Sequence, residues 1–155
     1  MQHHTIPYLL LLSLLCLSRI LSEDVPPSTS TLNIAILMPL YVGGVYQLAG
    51  QSSMHTALMA INEVNQLTDL LPSTVIKYQV YNTEMNTQTV VKTSIDLIHS
   101  SAFSSRKTTG VIGAYSSAVT IAANSVFKIA GIPQVSHASS SPDLSDNDKY
   151  PTFFR

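Results

Sequence analysis

From Asn33 onward the apolar positions follow two alternating patterns. Asn33 to Leu40 (NIAILMPL) is a nearly continuous apolar run that stops at Pro39, as in a strand covered on both faces of a parallel sheet. Tyr41 to Gly50, with Gly43, Gly44 and Gly50, reads as a loop. From Gln51 to about Gln66, residues Met54, Ala57, Leu58, Ile61 and Val64 recur every three or four positions and mark one stripe of a helix, with Pro72 as its far limit. Val75 to Tyr81 alternates Ile76, Tyr78 and Val80 with Lys77, Gln79 and Tyr81, a strand closer to a sheet edge. Asn86 or Thr87 caps a second helix, whose Val91, Ile95, Ile98 and Ala102 share a face and which leaves through Ser104, Ser105 and Arg106. Gly110 to Gly113 (GVIG) is a short third strand. The third helix is capped by Ser116 or Ser117, buries Val119, Ala122, Ala123, Val126, Phe127 and Ala130, and is stopped by Gly131 and Pro133. Gln134 to Ser136 forms the fourth strand.

The order β-α-β-α-β-α-β implies parallel strands joined by right-handed crossovers, an α/β fold with helices on both faces of the sheet. The strand C-terminal ends then gather along one rim, where open α/β sheets bind ligands. Four segments reach it: Pro39 to Gly50, Asn82 to Asn86, Gly113 to Ser117 and Ser136 to Ser141. The last two are rich in serine.

The amino terminus differs in kind. Tyr8 to Leu17 is leucine-rich and is followed by Arg19, Glu23 and Asp24. It is too short for a membrane span, which needs about 20 apolar residues, and residues 1–22 read as a signal peptide directing secretion. The competing reading is a buried amino-terminal helix. Residues 23–32 are a polar, proline-containing linker, leaving 33–155 as one folded unit. The one cysteine, Cys16, lies in the leader, so packing rather than disulfides must hold the rest together. Net charge is -1 and only 11% of residues are charged, which excludes the clustered basic face that nucleic acid requires.

Chemistry concentrates in the two serine segments. Ser116-Ser117 opens a helix directly after a strand, where first-turn amides and hydroxyls point outward together and suit an anion. With no lysine and no long glycine-rich turn for phosphate, a carboxylate is the guest; simple helix capping is the competing reading. Ser136-His137-Ala138-Ser139-Ser140-Ser141 brings further polar groups to the same rim, unless it is merely a solvated loop. No dinucleotide fingerprint, P-loop or G-x-S-x-G elbow occurs, and no cofactor motif is present. His137 is the only base near a serine nucleophile and has no evident orienting acid, so it reads as a pocket wall or surface group. The scattered histidines have no zinc spacing, His55 and His99 face solvent or cap a groove, and Asp143, Asp146 and Asp148 form a solvated loop.

The stretch Gly113 to Arg155, GAYSSAVTIAANSVFKIAGIPQVSHASSSPDLSDNDKYPTFFR, resembles the amino-terminal lobe of the ligand-binding region of class C G-protein-coupled receptors. Ser139-Ser140-Ser141-Pro142 and Tyr150 to Arg155 are closest to the GABA-B type. Ile132-Pro133-Gln134 and Leu144-Ser145-Asp146 are also similar to the metabotropic glutamate type, and Ala60 to Asn65 fits the same pattern, so the resemblance covers about residues 32–155.

That resemblance implies lobe 1 of a periplasmic-binding-protein-like module that closes on a small amino-acid-like ligand such as GABA, glutamate or a relative. It assigns the ligand carboxylate to Ser117 with Ser116 beside it, and ligand polar groups to Ala138, Ser139 and Ser140. It also implies a receptor homo- or heterodimer, and a G protein reached only through a membrane domain that this sequence lacks. Tyr115 stands where relatives have a small residue, His137 replaces a common tyrosine, and the cysteines many relatives carry are missing. On this reading residues 33–155 are an incomplete lobe from a plasma-membrane receptor, seen from its extracellular face. A freestanding secreted solute-binding protein or decoy receptor is the alternative, and a secreted serine hydrolase using Ser116 or Ser117 a weaker one.

Overall fold

The computed structural model describes residues 30–67, 69–99 and 107–155. The signal peptide, most of the linker, Ala102 and the exit at residues 104–106 lie outside them. Strand β1 (Ser30–Met38) takes in three residues of the lead-in, because Ser30 to Leu32 continue the register against Thr74 to Ile76. A two-residue hairpin follows, β2 (Tyr41–Val42) and β3 (Val45–Tyr46), turned by Gly43 and Gly44. Helix α1 (Leu48–Gln66) then leads to β4 (Thr74–Asn82), α2 (Thr87–His99), β5 (Gly110–Gly113), α3 (Ser117–Phe127), β6 (Gln134–Val135) and β7 (Phe153–Phe154).

The main sheet has the order β4-β1-β5-β6-β7, and every pairing in it is parallel. The chain therefore adopts the expected α/β fold, with β4 at the edge as its alternation predicts. Because β1 lies between β4 and β5, the connections leaving β1 and β5 diverge to opposite faces of the sheet, and the crevice between their C-terminal ends is the natural ligand position.

Alternate residues of each strand feed two cores. On one face Ala35, Leu37 and Val111 pack with Val90 and Leu97 of α2 and with Val119, Ala123 and Phe127 of α3. On the other, Ile36 and Met38 pack beneath Ile61, with Met54, Ala57 and Leu58 of α1 half-buried beside them. The stripe expected on α1 is the one that faces the sheet. Its helix begins three residues earlier than expected, however, and Gly50 is helical rather than part of a loop. A methyl group there would lie 1.9 Å from the Pro39 carbonyl oxygen, so only glycine lets α1 approach the end of β1 so closely.

Helix α2 turns a different face inward from the one expected. Val90, Ser94 and Leu97 are buried, whereas Ile95 is 44% exposed and Val91 and Ile98 lie at the margin. A small residue between two larger ones lets α2 lie close to its neighbours, and that advantage outweighs the greater apolarity of the Val91–Ile95 stripe. On α3 the expected stripe holds for Val119, Ala123 and Phe127. Ala130 instead falls in an exposed 3-10 turn, and Thr120 and Asn124 are fully buried. Asn86 caps α2 as expected, its Oδ1 accepting from the Gln88 and Thr89 amides at 2.8 and 3.0 Å.

Candidate functional site

Strand β5 delivers Gly113 to the rim with φ at 109°, where a methyl group would lie 2.1 Å from the Leu37 carbonyl oxygen. Glycine is thus required both for the conformation and for the contact with β1. The next carbonyl, that of Ala114, is surrounded by hydroxyls: Ser136 Oγ at 2.7 Å, Thr120 Oγ1 at 3.1 Å and Ser139 Oγ at 3.5 Å. Ser139 Oγ also lies 2.6 Å from Thr120 Oγ1 and 2.9 Å from Ser136 Oγ. A buried cluster of this kind, with every member satisfied, fixes the backbone around it. Below it the Gln134 side-chain amide donates to the Gly113 carbonyl at 2.8 Å and accepts from Asn124 at 3.1 Å, tying β6 to β5 and α3.

Above the cluster lies Ser117, the first residue of α3. Its Oγ accepts hydrogen bonds from the amides of Ser140 and Ser141, both at 3.1 Å. Both lone pairs are then occupied, and the hydroxyl proton has no acceptor among the described residues. A hydroxyl that accepts two N–H groups is polarised to donate, so Ser117 presents a proton outward beside the first-turn amides of α3. Ser116 is the N-cap by position but makes no side-chain cap bond. Ser116 is half-exposed at the same place, and its hydroxyl has no hydrogen-bond partner among the described residues.

The five site residues of the sequence analysis therefore meet at one rim, with different dispositions. Ser116 and Ser117 are half-exposed, Ala138 is half-buried and Ser140 is exposed. Ser139 is 4% exposed, and its hydroxyl is committed to the buried cluster. Residues Ser136 to Ser140 and Arg155 line a shallow depression of about 430 Å³. The Arg155 guanidinium donates to the Ser141 carbonyl at 3.1 Å and to Ser145 Oγ, which places a positive charge beside the depression while Asp and Glu are absent from its lining.

His137 does not reach Ser116 or Ser117. Its Nε2 lies 2.9 Å from Ser53 Oγ on α1, and its ring meets Tyr115 edge-on at 5.7 Å. The imidazole thus braces the rim between α1 and the β5–α3 loop instead of serving as a base, and Tyr115 is held against it. His55 and His99 are exposed, each bonded to a carbonyl of its own helix. Asp146 closes a turn by accepting from the Asp148 and Lys149 amides, and no cluster able to hold a metal occurs among the described residues. The roles of Ser136 and Thr120 were not read from the sequence. Thr120 sits one position from the apolar stripe of α3, and a hydroxyl there, one turn after a serine pair, is the only signal that would have found it.

The parallel sheet thus brings a serine-opened helix and a hydroxyl-rich loop side by side at its switch point. The chain belongs to the family described as receptor family ligand binding region, whose family model matches residues 52–155. Its matched relatives are metabotropic glutamate receptors and the extracellular calcium-sensing receptor, which support its reading as the extracellular ligand-binding region of a class C G-protein-coupled receptor. It is 29% identical over 123 residues to metabotropic glutamate receptor 4 of Rattus norvegicus, covering 68% of this chain and 14% of that protein. It is 29% identical over 123 residues to the extracellular calcium-sensing receptor of Homo sapiens, covering 71% and 11%. With metabotropic glutamate receptor 8 of Homo sapiens it shares 47% identity over 49 residues, 32% of this chain and 5% of that one. The chain thus spans 14% or less of the length of these relatives. Among the described residues no helix is long and apolar enough to cross a membrane.

Proposed function

We propose that this chain supplies lobe 1 of the ligand-binding region of a GABA-B-like or metabotropic-glutamate-like receptor, and that it holds the carboxylate of a small amino-acid-like ligand. The observation that carries the reading is the Ser117 hydroxyl, saturated as an acceptor by two loop amides and left with a proton to give. A ligand carboxylate would accept from Ser117, from Ser116 and from the first-turn amides of α3, where the helix dipole also favours negative charge. Ala138 and Ser140 supply wall and polar contacts from the neighbouring loop, and Ser139 acts by fixing that loop.

A second lobe closing over the ligand shifts the population toward the signalling state, to the extent that it binds the ligand better when closed. The half-exposed Val91 and exposed Ile95 of α2, flanked by Lys92 and Asp96, supply the dimer face. Residues 1–22 direct the chain into the secretory pathway, and a G protein is engaged through a membrane domain elsewhere in the receptor.

The experiment is calorimetric titration of the receptor's complete two-lobed ligand-binding region with L-glutamate, GABA and glycine, repeated with Ser117→Ala. Loss of one charge-assisted hydrogen bond weakens binding by about 1.5–3 kcal/mol, roughly 10- to 150-fold. An alanine variant that binds as tightly as the parent sinks the assignment. For lobe 1 alone, whose depression leaves one side of the ligand in water, the expected dissociation constant is about 1 mM or weaker, because small-ligand affinity depends on enclosing most of the ligand surface.

A further inference from the structure

Strand β4 forms one edge of the main sheet, and the two-residue β7 forms the other. Just before β4 the Ser73 carbonyl accepts from the Ser30 amide, and just after it the Thr83 amide donates to the Met38 carbonyl, so the odd-numbered residues address β1. The peptide groups of Ile76, Tyr78 and Val80 therefore point away from the sheet. Those of Tyr78 and Val80 have no hydrogen-bond partner among the described residues. Ile76 differs. Its N–H donates to Asn65 Oδ1 at 2.8 Å, and its C=O accepts from Asn65 Nδ2 at 3.0 Å. Asn65 is the second-last residue of α1 and is exposed. A carboxamide offers one acceptor and one donor, as a peptide group does, so this side chain takes the place that a residue of a neighbouring strand would occupy.

Left open, β4 is well suited to pair with another strand. Thr74–Asn82 (TVIKYQVYN) is made largely of β-branched and aromatic residues, has no proline or glycine, and carries one charge, Lys77. Val75 and Tyr78 along it are 40% and 45% exposed. We propose that Asn65 guards this edge, standing in for a further strand and denying the edge to β4 of a second copy of the chain. An antiparallel pair centred on Tyr78 would set Ile76 opposite Val80 of the second copy and Lys77 opposite Gln79, so that no like charges meet. It would form about six hydrogen bonds, two at each of three residue pairs. With the Ile76 groups taken in both copies the two outer pairs are lost, and about two bonds remain, too few to hold two strands together. The Asn65 side chain also fills the space that Val80 of the second copy would enter. The competing role is simple fastening of α1 to β4, which makes Asn65 matter for stability and leaves association unchanged.

The test is sedimentation velocity over a wide range of concentration on the full chain, on Asn65→Ala, on Tyr78→Pro and on the double variant. Proline at position 78 removes an outward N–H and leaves the ladder to β1 intact, as edge strands permit. The expected result is that Asn65→Ala associates at a roughly tenfold lower concentration than the parent, and that adding Tyr78→Pro restores the parent behaviour. Association through α2 would be common to all four chains, so the difference between them decides. A folded Asn65→Ala chain that associates no more than the parent overturns the proposal, as does association that survives Tyr78→Pro. Should alanine unfold the chain, Asn65→Asp still accepts from the Ile76 amide but sets a carboxylate against its carbonyl, and the same shift and the same reversal are required of it. Hydrogen exchange in the parent adds a measurement free of any variant. The Ile76 amide should exchange roughly tenfold more slowly than that of Tyr78, and equal rates would show that Asn65 does not hold the edge.

Discussion

At the scale of single residues, the rim depends on positions where one atom decides the outcome. Gly113→Ala forces a side chain into the Leu37 carbonyl at an unfavourable φ and is expected to cost about 3 kcal/mol, through backbone strain and overpacking together; urea unfolding of the lobe measures it. Thr120→Val keeps the shape but removes a hydroxyl from the cluster around the Ala114 carbonyl. Leaving Ser139 Oγ short of a partner should cost about 1–2 kcal/mol, while Thr120→Ser should restore stability to near the parent value. The serine pair was visible in the sequence because it stands between a strand and a strong helix. The division of labour within Ser139-Ser140 was not, since nothing in two adjacent serines says which turns inward.

Among the elements, α1 is anchored by the contact of Gly50 with Pro39. Gly50→Ala should lower stability by about 2 kcal/mol by overpacking, although alanine is the better helix former by about 1 kcal/mol, and the midpoint of thermal unfolding would show the sign. Burial raises the Tyr81 phenol above its ordinary value of 10.0. The unfolded chain therefore loses this proton first, so the group favours folding below pH 10.0 and its contribution is lost as pH rises beyond that value. A Tyr81→Phe chain should show a weaker alkaline decline. Helix and strand order could be read from periodicity because β1, α1 and α3 each repeat their pattern over several turns or pairs. The two-residue strands β2, β3 and β7 are too short to carry any period. The face of α2 was misassigned because apolarity alone favours Val91 and Ile95, whereas packing selects the smaller Ser94.

At the scale of the whole molecule, the exposed side of α2 faces away from both cores. Ile95→Glu should therefore leave the lobe folded while shifting the receptor ligand-binding region from dimer toward monomer in analytical ultracentrifugation. Family membership was legible because Gly113 to Arg155 carries both serine segments in sequence. The contact of Asn65 with the β4 edge was not, since it follows from which elements become neighbours, and that is settled only by the fold. The fastening of the Ser140 and Ser141 amides to Ser117 has one more consequence. A loop already locked before its guest arrives cannot reshape itself to suit a longer or shorter molecule. Under the proposed function, discrimination by chain length would fall to the opposing half of the cleft, which could diverge to recognise a new compound while the serine anchor stays unchanged.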